Sequence, residues 1–127
     1  MHALSSYDYV LIRIVPNVER GECLNVGVLL FCRTQHFLGA RIHVDQARVL
    51  ALAPDLDPVA VQQQLDAIVQ ICKGGPEAGQ LGHLSQSERF HWLISPRSTI
   101  IQTSDMHVGL CADPQATLEH LFRTMVY

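Results

Sequence analysis

Lysine is almost missing from this chain. Lys73 is the only one, so of the nine basic residues eight are arginines, set against 12 Asp and Glu for a net charge of −3. A nucleic-acid footprint needs clustered Lys and Arg, which this balance excludes. Arginine suits directional pairing with carboxylate or phosphate better than general solubility. Charge of either sign is scarce, at 17% of residues. A charge-poor surface on a small domain leaves apolar area to cover, which favours a protein partner or a homodimer. Long apolar runs are also lacking. The longest, Val26 to Cys32, is far too short to cross a membrane. Met1 to Ser6 has neither the basic nor the apolar region of a signal peptide. The four cysteines, Cys23, Cys32, Cys72 and Cys111, have no close spacing and sit among apolar neighbours. They read as reduced, buried thiols of a cytoplasmic protein. No phosphate loop, nucleophile elbow or dinucleotide fingerprint is present, so no cofactor is expected.

The 127 residues are enough for one domain, 1–127, with a sizeable core. Tyr7 to Val15 predicts a strand that Pro16 stops, because proline cannot donate to a ladder. Cys23 to Arg33 predicts a second strand. Its Val26 to Cys32 stretch has no polar side, so both faces should be covered. Phe37 to Val44 predicts a third, completing an antiparallel meander. Asp45 and Asp57 are N-cap candidates for helices reaching Leu52 and Lys73, the second with Pro58 in its first turn. Gly74 to Leu84 predicts an exposed loop. Ser85 and Glu88 have capping-box spacing for a single helical turn. Phe90–Ser95 and Ser98–Thr103 predict a hairpin turning at Pro96-Arg97, followed by a short strand at Val108–Cys111. Asp113-Pro114 opens a last helix with Leu118, Leu121, Phe122 and Met125 on one stripe. The expected class is α+β: a three-stranded N-terminal meander plus a C-terminal hairpin, with helices on one face.

The oddest segment is Asn17-Val18-Glu19-Arg20-Gly21-Glu22, a polar knot between two apolar strands. It is either a solvated hairpin loop or a charged loop folded over the sheet end, presenting Arg20 to an anion. Gly27 marks a β-bulge or a close backbone approach. Asn25, two residues earlier and so on the same face, ties down the loop or faces a pocket. Arg97, Ser98 and Thr99 at the expected hairpin tip offer a guanidinium and two hydroxyls to a phosphate or carboxylate, or form an ordinary polar tip. Arg13 and Arg41 lie mid-strand, either facing water or networked with Glu19 and Glu22. Among seven histidines none forms a metal motif. Cys32 and His36 have a ligand interval without a matching second pair, so no metal is expected. His91, His107 (with Asp105 nearby) and Glu22 are the candidates for proton transfer, and Cys23 beside Arg20 is a remote candidate nucleophile.

Tyr7-Asp8-Tyr9-Val10, Asn25-Val26-Gly27-Val28, Phe37-Leu38-Gly39-Ala40-Arg41, and Glu88-Arg89-Phe90-His91-Trp92 through Pro96-Arg97-Ser98-Thr99 together resemble a bacterial family catalogued as domain of unknown function 3037. The resemblance runs from about Tyr7 to Val126. It implies a small single-domain protein without an established activity, so no catalytic residue carries over. It also implies a partner role beside a kinase-like protein of the toxin–antitoxin type. The functional expectation is a non-enzymatic binding or accessory module. It would dock a protein partner or an anionic ligand on a surface formed by the Glu19–Asn25 junction and the Arg97 turn. The alternative is a small enzyme in which Arg20 and Arg97 clamp a phosphorylated or nucleotide substrate.

Overall fold

The computed structural model describes residues 3–17, 22–95 and 100–126. Strands β1 (Ser5–Asn17), β2 (Glu22–Cys32) and β3 (Phe37–Ile42) form the expected antiparallel meander. Helices α1 (Gln46–Leu52) and α2 (Pro58–Lys73) follow, then a 3-10 stretch, Pro76–His83, where a plain loop was expected. Helix α3 (Gln86–Ile94), strands β4 (Ile101–Thr103) and β5 (His107–Cys111), and helix α4 (Pro114–Met125) complete the chain. β4 and β5 both pair antiparallel with β1, end to end along the edge that β2 leaves free. Ser104 bridges the gap: its hydroxyl accepts the Leu11 N–H and its own N–H donates to the Leu11 carbonyl, both at 2.9 Å. Among the described residues no helix is long and apolar enough to cross a membrane.

The α+β class with an antiparallel sheet stands, but two details differ. The expected hairpin is replaced because its first arm, Phe90–Ser95, lies largely in α3. Ser85 accepts the Glu88 N–H while the Glu88 carboxylate accepts the Ser85 N–H, closing a full capping box. These bonds hold the Glu88 carboxyl below its usual range. Arg89, Phe90 and Leu93 then fall on one buried stripe, and that burial overrides the strand preference of the aromatic residues.

The second difference is that helices cover both faces of the sheet. Val10, Ile12, Ile14, Leu29 and Phe31 pack against α1, α2 and α3, with Leu65 and Phe90 fully enclosed. Leu11, Val28, Leu30 and Cys32 point the other way, onto Leu118, Leu121 and Phe122 of α4. A strand without a polar face needs two covers, and the apolar stripe of α4 supplies the second.

Candidate functional site

The β1–β2 junction is the first place to look. Ile12 pairs with Gly27 and Arg13 with Asn25, so Val26 is an extra residue in β2 and the strand carries a β-bulge. The bulge reverses which positions face which helices. Leu24 and Val26 face the α1–α3 side from even positions, while Leu29 and Phe31 do so from odd ones. Asn25 and Gly27 are therefore on opposite faces, not the same one. Gly27 is also a close approach: a Cβ there would sit 2.8 Å from the Arg41 carbonyl oxygen. Asn25 turns to the α4 side, where its Oδ1 accepts from Arg13 Nε at 3.1 Å and its Nδ2 donates to the Met125 carbonyl at 3.4 Å. It ties β1 and β2 to the carbonyl end of α4, whose unpaired acceptors need such a donor.

An open cleft of about 380 Å³ lies here, with Arg13, Asn25, Arg48 and Thr124 in its wall. Two guanidiniums would draw an anion, but the C-terminal end of α4 contributes the negative end of a helix dipole. Of the knot, Glu19, Arg20 and Gly21 lie outside the described residues, as do Arg97, Ser98 and Thr99. The proposed meeting of Arg20 with Arg97 falls there entirely. Glu22 starts β2, is exposed and has an interaction of its own.

Arg41 and Arg89 have work inside the fold. Arg41 pairs with Glu119 of α4 at 3.0 Å and lays its guanidinium over the Phe122 ring, 4.8 Å from the centroid. Of the two expectations, facing water or pairing with Glu19 and Glu22, neither foresaw this acid of α4 as its partner. Arg89 is buried in α3. Its Nη1 donates to the carbonyls of Ile71 and Cys72, each at 2.7 Å, and its Nε to the Leu84 carbonyl at 3.1 Å. That cation satisfies and neutralises the end of α2, where Gly74 turns away with positive φ. Sequence reasoning missed it, although the capping box three residues upstream of Glu88 places Arg89 in a helix. Burial pushes the neighbouring Cys72 thiol up to about 12, with Arg89 opposing the shift, so this thiol stays protonated at neutral pH.

The proton-transfer candidates are also placed. His107, at the start of β5, stacks on Tyr9 with ring centroids 5.1 Å apart and has no carboxylate partner among the described residues, Asp105 included. His91 Nδ1 is 2.7 Å from the Ser87 carbonyl. Cys23 is exposed, whereas Cys32, Cys72 and Cys111 are buried. Cys32 directs its thiol to the Ser6 carbonyl at 3.5 Å. No group of three or more metal-ligating side chains occurs among the described residues. A cavity of about 610 Å³ lies between Pro16, the Asp55–Asp57 turn and Gln64 of α2. Asp57 is already engaged as the α2 N-cap, accepting from the Val59 N–H at 3.0 Å.

A family model described as "Protein of unknown function (DUF3037)" matches residues 9–126. The chain belongs to the DUF3037 family. Comparisons with curated proteins and with solved structures give no match. The family description assigns no residue a role, so the reading of this DUF3037 member rests on its own geometry.

What remains after these assignments is β5. Its odd positions turn to the side of Tyr7 and Tyr9, with His107 still exposed and Cys111 buried. His107 lies on Tyr9, and a Cβ on Gly109 would stand 2.5 Å from the Tyr7 hydroxyl. Its even positions are bare: Val108 and Leu110 are each 66% exposed, with Met106 at 50% before them and Leu4 at 63% beside the neighbouring end of β1. The sequence shows this alternation plainly. It does not show that no helix arrives to cover it.

Proposed function

We propose that this protein is a docking module that receives an extended polypeptide strand along the free edge of β5. The bare pair Val108 and Leu110, on a strand that among the described residues pairs with β1 alone, carries this reading. Backbone phase supports it. Leu11 and Val15 turn their backbone groups toward the β4/β5 edge, bonding Ser104 and Ile100. Odd residues of β1 therefore make the narrow pairs on that side, Tyr7 with Gly109 and Tyr9 with His107. The N–H and C=O groups of Val108 and Leu110 consequently point outward, on the residues whose side chains are exposed.

Edge strands are ordinarily guarded by lysine, proline or inward charge. Between His107 and Cys111 there is no Lys, Arg, Asp, Glu or Pro. The fitting occupant is an extended segment with apolar residues at alternate positions, which supplies ladder hydrogen bonds and covers the apolar face together. No chemistry on the occupant is required, so the reading is non-enzymatic.

Fluorescence anisotropy with a labelled peptide of sequence 105–112 tests it. The peptide is expected to bind, and Val108→Asp to weaken binding on the order of a hundredfold, because it buries an unpaired carboxylate. Leu50→Asp, at an exposed leucine of α1, should leave binding unchanged. Absence of binding, or equal loss in both variants, would overturn the reading.

A further inference from the structure

We infer that the strand received by β5 is β5 of a second copy, so that two molecules join through one continuous antiparallel sheet about a two-fold axis at Val108. This rests on the strand-docking reading above and names its occupant.

A two-fold interface must be complementary to itself, each residue meeting its counterpart under the same rotation. Met106, Val108 and Leu110 are spaced by two and centred on Val108. An antiparallel pairing centred there sets Val108 against Val108 of the second copy and Met106 against Leu110, in both directions. All three are large apolar side chains that are at least half exposed in the single chain. Three apolar cross-strand pairs result, and such pairs are the unit of sheet stabilisation.

The backbone agrees with the same centre. Val108 and Leu110 are the β5 residues whose N–H and C=O groups point outward, as the phase of β1 requires. The pair at the axis is then one in which two residues exchange both hydrogen bonds. The charges select this register over its neighbour. Centring on Val108 places Asp105 opposite Cys111 and His107 opposite Gly109. Centring on Gly109 would place Asp105 opposite Asp113, two carboxylates face to face, and like charges directly opposite are destabilising. Leu4 precedes Ser5, the β1 residue paired with Cys111, and extends the apolar face onto the adjoining strand. On β1 this face continues with Ser6 beside Leu110 and Asp8 beside Val108, so the apolar contact is confined to β5 and Leu4.

The test joins sedimentation velocity to a cross-link. The wild-type chain is expected to shift from one to two chain masses as concentration rises, and Val108→Asp to remain monomeric with an unchanged far-UV circular dichroism spectrum. In a Cys23→Ser background, Val108→Cys is expected to oxidise to a disulfide-linked dimer. Paired Cα atoms about 5.5 Å apart lie within disulfide reach. Leu110→Cys, facing Met106, should not cross-link. A wild-type chain that stays monomeric throughout, or a dimer indifferent to Val108→Asp, overturns the inference. If that monomer still binds the 105–112 peptide through Val108, only the identity of the occupant falls. If peptide binding is absent as well, the strand-docking reading falls with it.

Discussion

β2 and β5 are both short on polar residues, and the structure treats them in opposite ways. Leu29 and Phe31 of β2 go under α2 and α3 while Val28, Leu30 and Cys32 go under α4, so neither face meets water. β5 packs one face on Tyr7 and Tyr9 and leaves Val108 and Leu110 in solvent. A strand in the middle of this sheet is enclosed because helices lie over both of its faces. Among the described residues β5 pairs with β1 alone, and no further helix lies over its outer side. The same apolar alternation is core in one place and an unfinished surface in the other.

Matched truncations break that comparison most directly. Leu30→Ala removes a side chain with 0% exposure and is expected to cost about 3 kcal/mol of folding stability by denaturant unfolding. Arg89→Ala comes next, at about 2–3 kcal/mol. It frees the carbonyls of Ile71, Cys72 and Leu84 in a buried setting, and Arg89→Lys should recover only part because an ammonium lacks the fork that reaches all three. Arg41→Ala, whose ion pair with Glu119 is half exposed, should cost no more than about 1 kcal/mol. Leu110→Ala is expected to change the stability of the dilute chain by less than about 0.5 kcal/mol while weakening association. A large stability loss for Leu110→Ala in dilute solution would mean that the outer face of β5 is core after all.

Cys72 adds a pH test on the enclosed side. Its thiol titrates near 12 when folded against an ordinary value of 9, so between these the unfolded chain has lost a proton that the folded chain keeps. Stability should therefore fall as pH rises above about 9, by roughly 1 kcal/mol per pH unit from this group. Cys72→Ala should flatten that slope. An unchanged slope would assign the alkaline loss to other groups.

Much of the frame was legible in the residues. Asp45, Asp57 and Asp113 each accept backbone N–H groups at the start of a helix, as their position before an apolar stripe or a proline indicates. The meander and the bulge at Gly27 followed from β-branched runs and a glycine inside a core strand. Phe90–Ser95 misled because aromatic, apolar stretches suit both strand and helix, and only the closed capping box with burial of Phe90 and Leu93 decides between them. Asn25 misled for a different reason. Alternation by two holds only while the ladder is regular, and one extra residue turned it to the other face. Residues 18–21 of the polar knot and the Arg97 turn, which drew the functional expectation, fall outside the described residues. Arg13, Arg41 and Arg89 instead serve a strand–helix tie, packing on α4 and a helix end.

The sequence by itself determined the α+β class, the helix starts, the all-apolar character of β2 and the alternation in β5, because caps, periodicity and proline act over a few residues. Tertiary structure alone decided that Arg89 closes α2, that α4 takes the second face of the sheet, and that none of the described residues takes the outer face of β5. Each of these depends on where one element lands against another far along the chain, and burial is a property of that meeting, not of the residues that wait for it.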